Sequence, residues 1–298
     1  MSTMGLSLTE SAKLSQDLLK KGVIECFVAN SVVMDRLPFM EVSGNSLAYN
    51  IVDELPTVEF RGVNEAYTES GATVSRNHEF LYMLGGDVDV DMFIQTTRGN
   101  INDIRGIQTE LKVKSLENQF TKTFFYGDGA KSFKGLKTRV EDGIGTKIEK
   151  TLTMPRNIEE AFVIEDALTE LCMAVKGGQP DVIYADAKSV NIFTRALNLL
   201  GYNTGTGADN FGKPCVMFKG CPIITVPDAL TEGDVFAVKF GADEYVSGLT
   251  NKGVQARDLG EAHDKPVLRT RVEFYVGLAT FHNKSFAVLT KPGMARKK

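Results

Sequence analysis

Residues 47–94 read LAYNIVDELPTVEFRGVNEAYTESGATVSRNHEFLYMLGGDVDVDMFI, and this stretch decides the fold. Its two ends, 47–52 and 79–94, have the alternation that predicts β-strands. The middle, 53–78, is polar and is interrupted by Gly62 and Gly71. A polar loop of this length without helices is uncommon in a compact domain. We therefore predict a long two-stranded excursion. Because such a ribbon is only marginally stable alone in water, we expect a neighbouring subunit to cover it.

The segment that follows, 101–125, carries the strongest helical pattern in the chain. Asn100 is its expected N-cap, and at about 1.5 Å per residue the helix would be about 35 Å long. A shorter amphipathic helix is predicted over 5–21. The apolar residues of the long helix recur at intervals of three and four, at Ile101, Ile104, Ile107, Leu111, Leu116, Phe120 and Phe124.

The rest of the chain mixes helices and strands. Asn157 and Asp186 are expected to cap two helices, and short strands are predicted at 181–184, 215–218, 222–226 and 235–240. The alternation in 267–281 predicts a half-buried strand, with 285–289 as its hairpin partner. The fold class is therefore α+β with two lobes. We expect the last strands to return to the first lobe, so that the middle block is an insertion.

Composition narrows the class of protein. The chain has 298 residues and a formal net charge of −4, whereas a tight nucleic-acid binder would carry a basic excess. No segment has the pattern of a signal peptide or of a membrane-spanning helix, so we expect a protein made in the cytoplasm. The four cysteines, at 26, 172, 215 and 221, fit no zinc spacing, and we expect free thiols.

The motifs that hint at chemistry are incomplete. The string GADNFGKP, 207–214, matches a phosphate-binding loop until Pro214, where that loop needs Ser or Thr. The three histidines are far apart in sequence, and no hydrolase motif is present. We therefore predict no enzyme activity, no cofactor and no metal.

Three carboxylates, Asp87, Asp89 and Asp91, resemble the start of a calcium loop. Met92 and Arg98 stand where that loop needs Gly and Glu. The alternation puts the three carboxylates on one face of a strand instead. We expect an arginine of another subunit, rather than a metal ion, to face them.

Four stretches, taken in order, resemble one known family. They are the extended segment followed by the long helix, then FFYGDGA (124–130) with FKGL (133–136), FKGCPII (218–224), and YVGLATF (275–281) with SFAVL (285–289). Together they span about residues 40–292. In their order and spacing they resemble the major capsid proteins of tailed bacteriophages, which have the HK97-type fold.

The resemblance implies a division of the chain. Residues 1–40 would be an N-terminal arm, and 41–94 the extended loop with its flanking strands. Residues 95–154 would be a peripheral domain built on the spine helix 101–125. Residues 155–262 would be an axial domain, and 263–298 would hold the return strands and the tail.

The resemblance also implies a function. Hexamers and pentamers would close into an icosahedral shell around double-stranded DNA, with only weak and non-specific contact to that DNA. The shell would assemble in the bacterial cytoplasm and end in the virion. A separate scaffolding protein and a portal are expected partners, and a decoration protein is a further candidate.

Two departures from the family pattern affect the expected contacts between subunits and the expected processing of the N-terminus. Residues 51–90 contain no lysine, so the covalent crosslink that some members make through this loop is not expected. The arm begins almost at Met1 without sustained heptads, so we expect no large N-terminal cleavage. The expected non-covalent subunit contacts are Glu59, Arg61, Glu65, Glu69, Arg76, Asp87, Asp89, Asp91, Arg269, Arg271 and Glu273.

Two other functions remain open at this point. A cellular nanocompartment shell of the encapsulin type resembles the same fold but loads proteins rather than DNA. A two-lobed α/β enzyme with an unmarked carboxylate site is the third reading, and it predicts a small oligomer instead of a particle.

Overall fold

The computed structural model describes residues 31–54, 56–98, 104–202, 206–208, 214–226 and 233–290. The predicted helix over 5–21, Cys26 and the expected N-cap Asn100 lie outside these ranges. So does most of the loop 202–214.

The described part of the chain forms thirteen strands and five helices. The strands are β1 (Phe39–Glu41), β2 (Ser46–Glu54), β3 (Thr73–Phe80), β4 (Tyr82–Asp91), β5 (Thr146–Glu149), β6 (Val182–Ala185), β7 (Thr206–Ala208), β8 (Pro214–Phe218), β9 (Cys221–Thr225), β10 (Val235–Val238), β11 (Val246–Glu261), β12 (Val267–Thr280) and β13 (Phe286–Thr290). The helices are α1 (Met92–Arg98), α2 (Ile104–Tyr126), α3 (Leu136–Glu141), α4 (Ile158–Met173) and α5 (Ala187–Leu199).

The excursion is a two-stranded antiparallel ribbon. β2 pairs with β3 from Ser46 opposite Phe80 to Glu54 opposite Thr73. The prediction that 79–94 is a single closing strand was wrong, because the chain passes from β3 into β4, and then into α1. β4 leaves the ribbon and pairs with β12 along its whole length.

A four-stranded sheet has the order β1-β11-β12-β4. Its longest strand, β11, was missed in the sequence, where its glycines and charged residues hide the alternation of a strand. β11 falls within the range 155–262 that we expected to form an inserted unit. It nevertheless pairs with β1 and β12, on the side of the molecule that holds β4.

A seven-stranded sheet has the order β5-β13-β10-β6-β9-β8-β7. The expected hairpin between 267–281 and 285–289 was wrong, because β13 pairs with β10 and β5 instead of β12. The reason is burial: all five residues of β13 are buried, which suits the middle of a covered sheet better than a hairpin with one wet face.

The helix α2 joins the two sheets into one core. The ring of Phe120 lies 6.2 Å from that of Phe274 on β12, and the ring of Phe125 lies 4.8 Å from that of Phe236 on β10. The opposite face of the seven-stranded sheet packs against α4 and α5. Both of these helices begin as predicted, since the side chains of Asn157 and Asp186 accept hydrogen bonds from backbone N–H groups of their first turns.

The turn after α2 depends on two glycines. The N–H of Gly135 donates to the carbonyl of Gly127 across 3.0 Å. A Cβ at Gly127 would lie 2.1 Å from the carbonyl oxygen of Phe133, and one at Gly135 would lie 2.4 Å from the nitrogen of Gly127. No side chain fits there, which explains why the YGDG and FKGL strings occur together.

One acidic side chain of α2 is buried. Burial raises the pKa of the Glu117 carboxyl from its ordinary 4.5 to about 7. Between pH 4.5 and about 7, the folded chain therefore keeps a proton on Glu117 that the unfolded chain releases. The resulting stabilisation is complete below pH 4.5 and is lost as the pH rises through about 7.

The substitution Glu117→Gln should remove this pH dependence. The free energy of unfolding of the variant minus that of the wild type should increase by about 1–3 kcal/mol when the pH is raised from 4.5 to 8. Urea unfolding of dissociated subunits at the two pH values measures the difference. Glu110→Gln is the control, since Glu110 is exposed on the same helix and pairs with Lys114. An equal effect of Glu117→Gln at both pH values would contradict the assignment.

Candidate functional site

The tip of the ribbon, residues 56–72, is exposed at every position. Four large apolar side chains point into solvent there: Val58 is 91% exposed, Val63 93% and Tyr67 63%, and Phe60 is fully exposed. A single exposed apolar residue needs no explanation, but a contiguous group marks an interaction site.

The tip is held in shape by its own polar groups. The N–H of Thr68 donates to the Glu59 carboxylate across 2.7 Å, and the N–H of Gly62 donates to Glu65 across 2.8 Å. Arg61 donates to the carbonyl of Glu65 and lies over the ring of Tyr67, 5.2 Å from its centroid. The hydrogen bond from Thr68 lowers the pKa of Glu59. These contacts restrain the tip, and such restraint reduces the entropy lost on binding.

Glu59, Arg61 and Glu65 were predicted as contacts to another subunit. The structure uses all three inside the tip, so they shape the interaction surface. Glu69 and Arg76 are exposed and make no ion pair with any residue that the structure describes. These two side chains are free to meet a neighbour.

The base of the ribbon is anchored by a buried arginine. Arg139 of α3 is 1% exposed, and its Nη1 lies 2.6 Å from a carboxylate oxygen of Glu79 on β3. Its Nη2 donates to the carbonyl of Leu278 across 2.7 Å, and its Nε donates to the carbonyl of Lys134 across 3.0 Å. Nη1 also donates to the hydroxyl of Thr280. One guanidinium thus joins the ribbon to β12 and to the segment after α2.

Tyr49 completes this anchor from β2. Its hydroxyl donates to Glu79 across 3.5 Å and accepts from the N–H of Thr280 across 3.3 Å. Burial, and then the nearby Glu79 carboxylate, raise the pKa of the Tyr49 phenol. Both strands of the ribbon are therefore held at their base, although the tip is free.

Arg139, Glu79 and Tyr49 were not identified from the sequence. The short helix that begins at the end of FKGL carries three charged residues, and its sequence does not show that Arg139 is the buried one, which requires a partner. Nothing local to that helix indicates that the partner lies 60 residues earlier in the chain.

The aspartates of β4 face arginines of the same chain. Arg271 donates to both carboxylate oxygens of Asp87, at 2.7 and 2.9 Å. Arg269 binds Asp89 in the same way, at 2.7 Å to each oxygen. The pairs follow from the register of β4 and β12, and the hydrogen bonds lower the pKa values of both aspartates. The expectation that the partner arginine belongs to another subunit was wrong for these two residues.

The remaining predicted residues also have partners within the chain. Asp91 accepts a hydrogen bond from the N–H of Phe93 at the start of α1, across 2.8 Å. Glu273 pairs with Arg257 of β11, on the neighbouring strand. These contacts stabilise the four-stranded sheet and leave the tip of the ribbon as the exposed candidate site.

Within the described ranges we also searched for metal sites, reactive thiols and membrane-spanning helices. They contain no cluster of His, Cys, Asp or Glu that could hold a metal ion. Cys172 and Cys221 are buried free thiols, and burial raises the pKa of Cys172 to about 12. None of the described helices is long and apolar enough to cross a membrane.

Comparison with known proteins gives one family match. A family model described as Major capsid protein GP7 matches residues 16–153. This range includes the ribbon, α2 and the glycine turn. No curated protein sequence matches the chain.

Solved structures match over most of the chain. The holo-SrpI encapsulin complex from Synechococcus elongatus PCC 7942 is similar with a TM-score of 0.67, at 18% identity and over 89% of each chain. A structure from Mycobacterium phage Bobi has a TM-score of 0.62 at 15% identity, covering 96% of this chain and 99% of that one. The capsid of a native GTA particle has a TM-score of 0.58 at 13% identity, covering 87% and 89%.

These likenesses confirm the fold class predicted from the sequence, an α+β fold like that of HK97-type capsid proteins. The family match over residues 16–153 is to a model of capsid proteins, and the solved structures show that the fold is shared.

Proposed function

We propose that this capsid-like chain assembles as hexamers and pentamers into an icosahedral shell that encloses double-stranded DNA. The observation that carries the proposal is the ribbon of β2 and β3. Its tip exposes Val58, Phe60, Val63 and Tyr67, while its base is anchored by Arg139. A monomer gains nothing from such an arrangement, whereas a neighbouring copy of the chain could bury the tip.

The non-covalent character of the shell is part of the proposal. No lysine lies in residues 51–90, so the ribbon would hold by apolar burial, hydrogen bonds and ion pairs. Full burial of an apolar side chain is worth about 1.5–3 kcal/mol, and an exposed ion pair only about 0–1 kcal/mol. We therefore propose that Val58, Phe60, Val63 and Tyr67 stabilise the contact, and that Glu69 and Arg76 select its register.

The division of the chain is proposed with one change. The arm would be 1–40, the extended loop 41–94 and the peripheral domain 95–154. The axial domain would be built from 155–245 together with β13, because β11 pairs with β12 and β13 pairs with β10. β12 would return to the peripheral domain.

The role proposed is structural and not enzymatic. Assembly would take place in the cytoplasm of a bacterial host, with a separate scaffolding protein and a portal as partners, and a decoration protein as a further one. The net charge of −4 suits a wall that encloses DNA without binding it tightly, since tight binding requires an excess of Lys and Arg.

A second candidate is an encapsulin-like nanocompartment that loads protein. The likeness to the encapsulin, with its TM-score of 0.67, favours it. The match to a major capsid protein model favours the viral shell. Portal and terminase genes beside the coding sequence would support the capsid, and a cargo enzyme gene would support the compartment.

The test of a shell role is electron microscopy of the expressed chain. We expect closed particles of megadalton mass by negative stain and by sedimentation, with or without a scaffolding protein. Small oligomers alone under both conditions would contradict the proposal and favour the two-lobed enzyme. Boiling the particles in SDS should release single chains of 32.6 kDa, and a covalent ladder would contradict non-covalent assembly.

A further inference from the structure

Two helices form the outer layer of the seven-stranded sheet. α4 packs over β13 and α5 packs over β9, and the two helices also pack against each other. Their inner faces share one apolar cluster. Their outer faces differ in chemistry.

The outer face of α4 is apolar and acidic. The helix contains five acidic residues and no basic one. Its large apolar side chains Ile158, Phe162 and Val163 are between 52% and 61% exposed. Glu159 and Asp166 are exposed between them and make no ion pair with any described residue. Such a face is typical of an interface and not of a solvated helix.

The outer face of α5 is basic. The helix contains Lys188 and Arg195 and no acidic residue. Both side chains are exposed, and neither forms an ion pair within the described ranges. Arg195 lines an open cleft with Thr153, Met154, Arg156 and Glu160. The cleft thus holds the cations of Arg156 and Arg195 together with the carboxylate of Glu160, one oxygen of which accepts the backbone N–H of Arg156.

The charges on the two helices have the same spacing. Glu159 and Asp166 are seven residues apart, as are Lys188 and Arg195. Seven residues are about two helical turns, so each pair lies on one face, with its members about 10 Å apart. Two helices that meet along these faces can therefore form two ion pairs at once.

We infer that α4 of one subunit packs against α5 of a second copy of this chain, with Glu159 and Asp166 facing Lys188 and Arg195. This inference rests on the proposed function and names a contact within the shell. Contact of α4 with α4 would oppose like charges, as would contact of α5 with α5, so the unlike pairing is the favourable one. Where α4 meets α5 without the reciprocal contact between the same two copies, the contact is heterologous, and it closes into rings when the rotation allows.

The test is a charge exchange. One variant carries Lys188→Glu and Arg195→Glu, and a second carries Glu159→Lys and Asp166→Lys. Each opposes like charges, and we expect each to reduce the yield of particles on the order of tenfold or more. The variant with all four changes restores the attraction, and we expect its yield to return to within about threefold of the wild type. Sedimentation and electron microscopy measure the yield, and circular dichroism verifies folding.

The control reverses two other exposed charges, with Lys122→Glu and Lys131→Glu, and should assemble as the wild type does. Normal assembly of both single-helix variants would overturn the inference, and so would failure of the fourfold variant while it remains folded. A loss in the control equal to that in the helix variants would also overturn it. Failure of the wild type itself to form any particle would contradict the proposed function, which keeps the two failures distinct.

Discussion

Replacing Arg139 with methionine is expected to lower the free energy of unfolding by about 3–5 kcal/mol. Arg139 is 1% exposed. Its guanidinium donates hydrogen bonds to the Glu79 carboxylate, to the Thr280 hydroxyl and to the carbonyl groups of Leu278 and Lys134. Its removal leaves the partly buried Glu79 carboxylate without its cation and the carbonyl groups of Leu278 and Lys134 without this donor, and such groups are costly to bury unpaired. Urea unfolding of dissociated subunits measures the loss, and hydrogen exchange should show faster opening of β2 and β3.

Two further variants separate the buried ion pair from general damage. The double change Arg139→Met with Glu79→Met removes both charges, and we expect it to recover a large part of the loss. Arg257→Met breaks an ion pair with Glu273 at the surface, and it should cost less than about 1 kcal/mol. A loss below about 1 kcal/mol for Arg139→Met would refute the role of Arg139 as the anchor of the ribbon.

Introducing charge at the tip of the ribbon is expected to abolish particle formation while leaving the subunit folded. In the variant Val58→Asp with Phe60→Asp, two residues that are fully or almost fully exposed in the subunit become anionic. The stability of the isolated chain should change by less than about 0.5 kcal/mol, because surface substitutions rarely do more. Assembly should fail, because each contact between copies would have to bury a charge.

The matched control is Phe60→Leu, which keeps an apolar side chain at the tip. We expect it to form particles in near wild-type yield. Sedimentation separates particles from free subunits in both variants. Wild-type yield from the charged variant would mean that the tip stays in solvent in the assembled form, and that the ribbon has another role.

Together the two variants assign separate tasks to the two ends of the ribbon. The base contributes to the stability of one subunit, because its polar groups are buried within that subunit. The tip contributes to association, because its apolar groups are exposed until a partner arrives. A substitution at the base should therefore lower stability before it lowers assembly, and one at the tip should do the reverse.

Local patterns in the sequence were sufficient to predict where the main helices lie. The apolar spacing of 101–125 predicted α2 to within a few residues of its observed bounds Ile104–Tyr126. Asn157 and Asp186 marked the starts of α4 and α5, and both cap as expected. These signals succeed because helix periodicity and capping depend on neighbours three or four residues away.

The sequence was a poorer guide to which strands pair with each other. β13 was assigned to β12 because the two are adjacent in sequence, but it lies in the other sheet. β11 was missed, because its pairing with β12 includes two register shifts and its sequence contains glycines and charges. Strand order depends on which apolar faces are covered by helices, and that is a property of the whole chain.

By itself, the sequence determined that the chain is a mildly acidic α+β protein with an extended ribbon, a long helix behind it and no lysine within residues 51–90. Only the tertiary structure decided which charges are partners. Asp87 and Asp89 were expected to face an arginine of another subunit, and in the structure they meet Arg271 and Arg269 of the same chain, about 180 residues away. Glu79 meets Arg139 in the core at the base of the ribbon. The physical reason is that ion pairs form between groups close in space, and sheet register and helix packing bring residues distant in sequence to the same place.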